Sequence, residues 1–145
     1  MKIKLIKFND DLKMPTRSHY NDAGIDCYAL EDFTLMPMRG IAFDVMNNTQ
    51  LVPLGFGLEV PDGYMATIRP RSSMNIKGIV TQIGTIDSGY RGEIKAAFCN
   101  LTPFAINFNK GDKICQIVIE PVVLADFVED LENNRGEGGF GSTGK

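Results

Sequence analysis

No apolar run in this 145-residue chain approaches the roughly 18–20 residues a helix needs to span a bilayer. The opening MKIKLIKF alternates charged with apolar residues and has no uninterrupted hydrophobic stretch, so it does not read as a signal peptide. A dominant basic surface is missing as well. The 15 Lys and Arg stand against 18 Asp and Glu, a net charge of −3, which argues against a bulk nucleic-acid binder held by positive charge. Cysteine is scarce: Cys27, Cys99 and Cys115 make an odd count with no CxxC spacing. A structural zinc site takes about four N or S ligands, and with His19 as the single histidine no grouping offers them. Buried, reduced thiols and a cytoplasmic location are the expectation. Also absent are an internal repeat and any 3.6-residue apolar period sustained over three turns.

What is present suits one ordinary domain. A chain of 16.0 kDa can bury a real core without staples, and 43% apolar with 23% charged residues excludes wholesale disorder. The 15 glycines and 7 prolines are spread along the chain and separate short β-rich runs. Residues 2–8 alternate at period two; 55–60 and 64–69 flank the turn Pro61-Asp62-Gly63; 93–99 and 113–123 are further strands, the last rich in Ile and Val. The best helix candidate is one or two turns around Ser73–Lys77. Many short strands with turn signals at close spacing predict an all-β sandwich, jelly roll or barrel.

Charge is unevenly placed. Residues 1–59 carry 6 basic and 8 acidic groups, residues 60–115 carry 7 and 4, and residues 116–145 carry 2 and 6. A locally basic middle in an acidic protein fits a small anionic ligand better than a long polyanion. Residues 135–145, RGEGGFGSTGK, hold five glycines, too few apolar groups to offset their own ordering entropy. Gly139–Lys145 fits the GxxxxGK half of a P-loop, but no strand leads in and no Ser or Thr follows the lysine, so that match is rejected.

Four further segments look overspecified for scaffolding. Asp22-Ala23-Gly24-Ile25-Asp26 sets two carboxylates about a glycine, which is also how an Asx turn reads. Arg69-Pro70-Arg71-Ser72-Ser73 puts two guanidiniums and two hydroxyls at a strand end; these suit phosphate oxygens, or equally an exposed basic turn with a helix cap. Residues 84–93, GTIDSGYRGE, place an acid among small residues beside an aromatic, a pattern fit to orient a water, or a β-hairpin loop. Residues 111–116, GDKICQ, are a turn entering an apolar strand.

Taken together and in order, these segments and the tail resemble the five motifs of the homotrimeric dUTP diphosphatases (dUTPases), from about Asp22 to Gly144. The resemblance implies a jelly-roll-like distorted β-barrel over residues 1–134. A flexible Gly-rich C-terminal arm over 135–145 would close on a neighbour's site when nucleotide binds. Three copies would share their active sites between subunits. The implied reaction is hydrolysis of dUTP to dUMP and pyrophosphate, which limits uracil incorporation into DNA and supplies dUMP for thymidylate synthesis.

By that resemblance Asp87 activates the water that attacks the α-phosphorus, and Tyr90 lies against the deoxyribose and excludes UTP. Backbone groups of a Thr81–Tyr90 hairpin, Gly84 and Ile86 among them, read the uracil edge. Arg71, Ser72, Ser73 and Gln116 hold the phosphates, and Asp26 supports the site. Arg135 reaches the γ-phosphate, Phe140 stacks on uracil, and Gly141, Ser142 and Thr143 complete the arm's contacts. Mg²⁺ is the implied cofactor, held by substrate phosphates and waters with no direct protein ligand.

Three positions depart from the pattern: Gly89 where an acid is frequent, Thr81 where asparagine is common, and Lys113 for a common arginine. Residues 38–50 read as a longer loop or a rearranged strand pair. A dCTP deaminase would share the fold, but Ala97 stands where that family places a proton-transferring glutamate. A binding module on the same scaffold would lack turnover. The sequence names no regulatory protein partner.

Overall fold

The structure, a computed structural model, describes residues 1–38 and 49–129. It is built almost wholly of antiparallel strands, each short because turn residues interrupt the chain every few positions. They are β1 (Lys4–Lys7), β2 (Ile25–Tyr28), β3 (Phe33–Leu35), β4 (Gln50–Pro53), β5 (Phe56–Glu59), β6 (Tyr64–Arg69), β7 (Ile79–Thr81), β8 (Gly84–Ile86), β9 (Lys95–Asn100), β10 (Ile106–Phe108) and β11 (Lys113–Pro121). Among the described residues one short helix, α1 (Ser72–Ile76), lies between β6 and β7. The all-β expectation holds. The expected strands are there, 64–69 to the residue, 93–99 shifted to 95–100 and the others with trimmed ends, and the helix begins one residue early.

The strands form two pairs, β1-β5 and β3-β10, a three-stranded sheet β4-β9-β7, and a four-stranded sheet β2-β11-β6-β8. Successive strands therefore leave one sheet for another, the habit of a jelly-roll-like barrel. The turn at Pro61–Gly63 is as expected, with Gly63 at φ 78° and Tyr64 N–H donating to the Pro61 carbonyl at 3.2 Å. Yet it joins strands that do not pair: β5 runs beside β1, and β6 beside β11 and β8.

Alternation along β11 explains how the four-stranded sheet serves both core and site. Cys115 and Ile117 are buried on its inner face with Cys27 of β2 and Ile68 of β6, while Gln116 belongs to the other face with Asp26 and Arg69, its register partners. A register shift between Lys113 and Cys115 lets Ile114 be buried as well. Phe56, Phe98, Leu35, Leu54 and Ile79 fill the centre. All three cysteines are free and buried. Cys115 beside Cys27, reinforced by burial, pushes the Cys27 thiol well up and keeps it neutral.

Candidate active site

The first functional cluster is centred on Asp26. Its side chain is only 5% exposed, and a charge so placed persists only with partners. Lys113 Nζ lies 2.6 Å from Oδ2 and Arg71 Nε 3.4 Å from Oδ1. Gln116 Nε2 donates to Oδ1 at 3.1 Å, and the Ser18 hydroxyl donates to Oδ2 at 3.3 Å. Burial pushes this carboxyl up, but the bonds from Lys113 and Gln116 and the charges of Lys113 and Arg71 outweigh it and hold the group below its ordinary value.

The elements that build this cluster are distant in the chain and are brought together by strand pairing. Asp26 and Gln116 meet because they are register partners on β2 and β11. Arg71 follows the end of β6, where extended backbone precedes α1, and its Nη1 donates to the Lys113 carbonyl at 2.7 Å. Gly24 is required by Gln116: a Cβ there would fall 2.8 Å from the Gln116 Cδ and Oε1. Ser72 and Ser73 open α1 with exposed side chains. Two cations and one anion leave this patch with a net positive charge and hydroxyls at its rim, a surface for phosphate oxygens. Arg69 turns elsewhere, pairing Nη2 with both carboxylate oxygens of Glu120 at 3.0 Å.

The second cluster follows β8. Asp87 is exposed at the start of a turn closed by Tyr90 N–H donating to its carbonyl at 3.1 Å. Arg91 Nη1 holds the Ser88 and Tyr90 carbonyls. Tyr90 borders a cleft of about 320 Å³ whose walls include Ile68, Gly84, Ile86, Glu93 and Ile94, so the structure brings Gly84, Ile86 and Tyr90 to one cavity. Thr81 is separate. The stretch 81–90 is not a hairpin, because β7 pairs with β9 in one sheet and β8 pairs with β6 in another. Thr81 is buried, and its hydroxyl finds no hydrogen-bond partner among the described residues.

The two clusters sit apart on the same sheet. From Asp26 to β8 is three strand spacings, about 14 Å. The Gln116 row and the Ile119–Ala66–Ile86 row are three residues apart, about 10 Å. Of the residues expected in the site, Asp26, Arg71 and Gln116 are bonded together with Ser72 and Ser73 beside them, while Asp87, Tyr90, Gly84 and Ile86 form the other group. Arg135, Phe140, Gly141, Ser142 and Thr143 lie outside the described residues, as does most of 38–50. Sequence reasoning missed Ser18, an exposed serine with no motif signal. It treated Lys113 only as a departure, although Lys113 makes the shortest ion pair to Asp26.

Comparisons with known proteins bear on the fold and the family. The dUTPase family model matches residues 10–144. The deoxyuridine 5'-triphosphate nucleotidohydrolase of Clostridium tetani is 41% identical, with 100% of this chain and 97% of that protein covered. The protein of the same name from Corynebacterium glutamicum is 38% identical, with 99% and 95% covered. Among solved structures, a mutant Staphylococcus bacteriophage 80alpha dUTPase with dUpNHpp superposes with a TM-score of 0.84 at 23% identity, covering 99% of each chain. A mutant dUTPase from phage phi11 of S. aureus, described as coordinating a structural Mg(II) ion, gives 0.79 at 21% identity, covering 91% of this chain and 98% of that one. The structural likeness supports the fold, and the family match and the curated relatives establish that this chain belongs to the dUTPase family.

Proposed function

We propose that the protein hydrolyses dUTP to dUMP and pyrophosphate, at sites that two clusters complete only when copies of the chain associate. The observation that carries this reading is their separation. By strand spacing and register the phosphate-binding patch at Asp26 lies about 17 Å from Ile86, the residue before the acid Asp87, too far for one triphosphate to span from a single chain.

In this reading the cleft beside Tyr90 takes the deoxynucleoside, with Gly84 and Ile86 lending backbone groups to the base edge and the Tyr90 ring set against the sugar. Asp87 accepts a proton from the attacking water as it adds to the α-phosphorus, and the bond to the bridging oxygen of pyrophosphate breaks. A neighbour's Arg71, Ser72, Ser73 and Gln116 hold the phosphate chain, with Asp26 fixing Arg71 and Gln116 in place. The segment 135–145 of a third copy, with Arg135, Phe140, Gly141, Ser142 and Thr143, covers the nucleotide. A homotrimer is the assembly that supplies all three parts.

Asp26 is already occupied by Lys113 and Arg71 and is remote from Asp87, so this donor set fits a Mg²⁺ held by phosphate oxygens and its own waters. When bound there, the ion neutralises charge on the phosphate chain. No helix among the described residues is long and apolar enough to cross a membrane, and a cytoplasmic site of action fits the substrate.

Pyrophosphate release from dUTP, dCTP and UTP, with ammonia measured alongside, tests the assignment. Turnover of dUTP alone, with no ammonia, is expected. Asp87→Asn should lower kcat by about 10²–10⁴-fold with dUTP binding nearly intact; normal turnover by that variant would remove Asp87 from the mechanism.

A further inference from the structure

We infer that Gly92, with the Tyr90–Glu93 hydrogen bond beside it, is a positioning residue that fixes the Tyr90 ring and so sets discrimination against a ribose. The inference rests on the reading above that Tyr90 screens the sugar, and it assigns how that screen is held.

The Tyr90 phenol lies directly over Gly92. A Cβ at position 92 would fall 2.5 Å from the Tyr90 hydroxyl oxygen, 2.7 Å from Cζ and 3.2 Å from Cε2, so any side chain there forces the ring to move. The hydroxyl is also tied down, donating to the Glu93 carbonyl at 3.0 Å. Beneath it the backbone is anchored to the start of β5. Glu93 Oε1 accepts the Gly55 N–H at 3.0 Å, Ile94 N–H donates to the Phe56 carbonyl at 2.9 Å, and Leu54 N–H donates to the Ile94 carbonyl at 2.9 Å. Even β5 yields to this contact, since a Cβ at Gly57 would come within 2.6 Å of the Gly92 carbonyl oxygen.

The ring is thus bounded below by Gly92, tethered at its hydroxyl and 45% exposed on the side that remains. A platform fixed before the ligand arrives discriminates by shape without reorganising. The same loop supplies a control: a Cβ at Gly89 would meet nothing within 4 Å.

The test is the ratio of kcat/KM for dUTP to that for UTP, measured with Mg²⁺ on the full chain, with melting temperature as the fold control. Gly92→Ala should lower the ratio about tenfold or more, chiefly through improved use of UTP, with kcat for dUTP much less affected. Gly89→Ala should leave the ratio unchanged. Tyr90→Ala should also lower it; if it does not, the sugar-screen reading falls and the inference with it. If Tyr90→Ala lowers the ratio while Gly92→Ala keeps it, or if Gly89→Ala matches Gly92→Ala, the inference alone is overturned. Should Gly92→Ala fail to fold, Tyr90→Phe decides. It keeps the ring, loses the bond to Glu93 and should lower the ratio about fivefold, and an unchanged ratio rejects the positioning role.

Discussion

Asp26 and Lys113 form the shortest ion pair among the described residues, 2.6 Å between Nζ and Oδ2, and the acid of the pair is buried while the base is one-third exposed. That asymmetry makes Asp26 the dependent partner. Its carboxylate survives burial because Lys113, Gln116 and Arg71 surround it, whereas the Lys113 ammonium retains access to water. Its folded pKa is depressed, so its contribution to stability is complete above the unfolded value near 3.8 and disappears as pH falls through the lower folded value. Asp26→Asn should cost about 1–3 kcal/mol at neutral pH. Melting curves of both proteins from pH 7 down through pH 3 check this: the gap should hold above the unfolded value near 3.8 and narrow below it, and a gap independent of pH would mean the charge is not what stabilises.

Gly24 and Gln116 offer a second test. An added Cβ at position 24 collides with the end of a flexible side chain, so Gln116 yields and the fold is little disturbed, but the amide is driven from its bond to Asp26. Gly24→Ala should raise the KM for dUTP about tenfold and leave the melting temperature nearly unchanged. The diagnostic is a double-mutant cycle. Combined with Gln116→Ala the effects should not add, because both act through one side chain; full additivity would show that Gly24 acts by another route.

These pairs mark where the sequence was legible. Period-two alternation revealed the strand in residues 2–8, because half-buried strands expose every second residue; the Pro61–Gly63 turn revealed those at 55–60 and 64–69, and β-branched content the one in 113–123. The sequence did not show β2, four residues long, or β3, β7, β8 and β10, each three residues long, too short for a period to register. Pairing was beyond reach for a different reason: a turn shows that the chain reverses, not which sheet the next strand joins, and the stretch 81–90 was read as a hairpin although its strands part company. Gln116, Arg71 and Asp26 were found through motif resemblance. Ser18 was not, since its role arises only from the loop that carries it back beside Lys113 at 3.2 Å.

The segment 135–145 carries its own expectation. Its five glycines and few apolar groups offer little surface to bury, so deleting it should cost little stability. The truncated protein should melt within a few degrees of the full chain and lose most of its kcat/KM for dUTP. A large fall in melting temperature would instead make the segment part of the folded body.

Separation of the two clusters leads to the most direct test of shared sites. If Asp87 and Arg71 act in the same site from different chains, two inactive variants can repair each other. Asp87→Asn keeps its Arg71, and Arg71→Ala keeps its Asp87, so a site formed between them has both. With random assembly from an equal mixture, a given site draws an intact Asp87 from one chain and an intact Arg71 from its neighbour in about a quarter of cases. Co-refolding the two variants should therefore restore about a quarter of wild-type turnover, while each alone stays inactive. The mixed sample should match the wild type in light scattering, so that recovery cannot be attributed to a changed assembly. No recovery from a properly assembled mixture would place both residues in one chain's site and contradict the register-based distance between them.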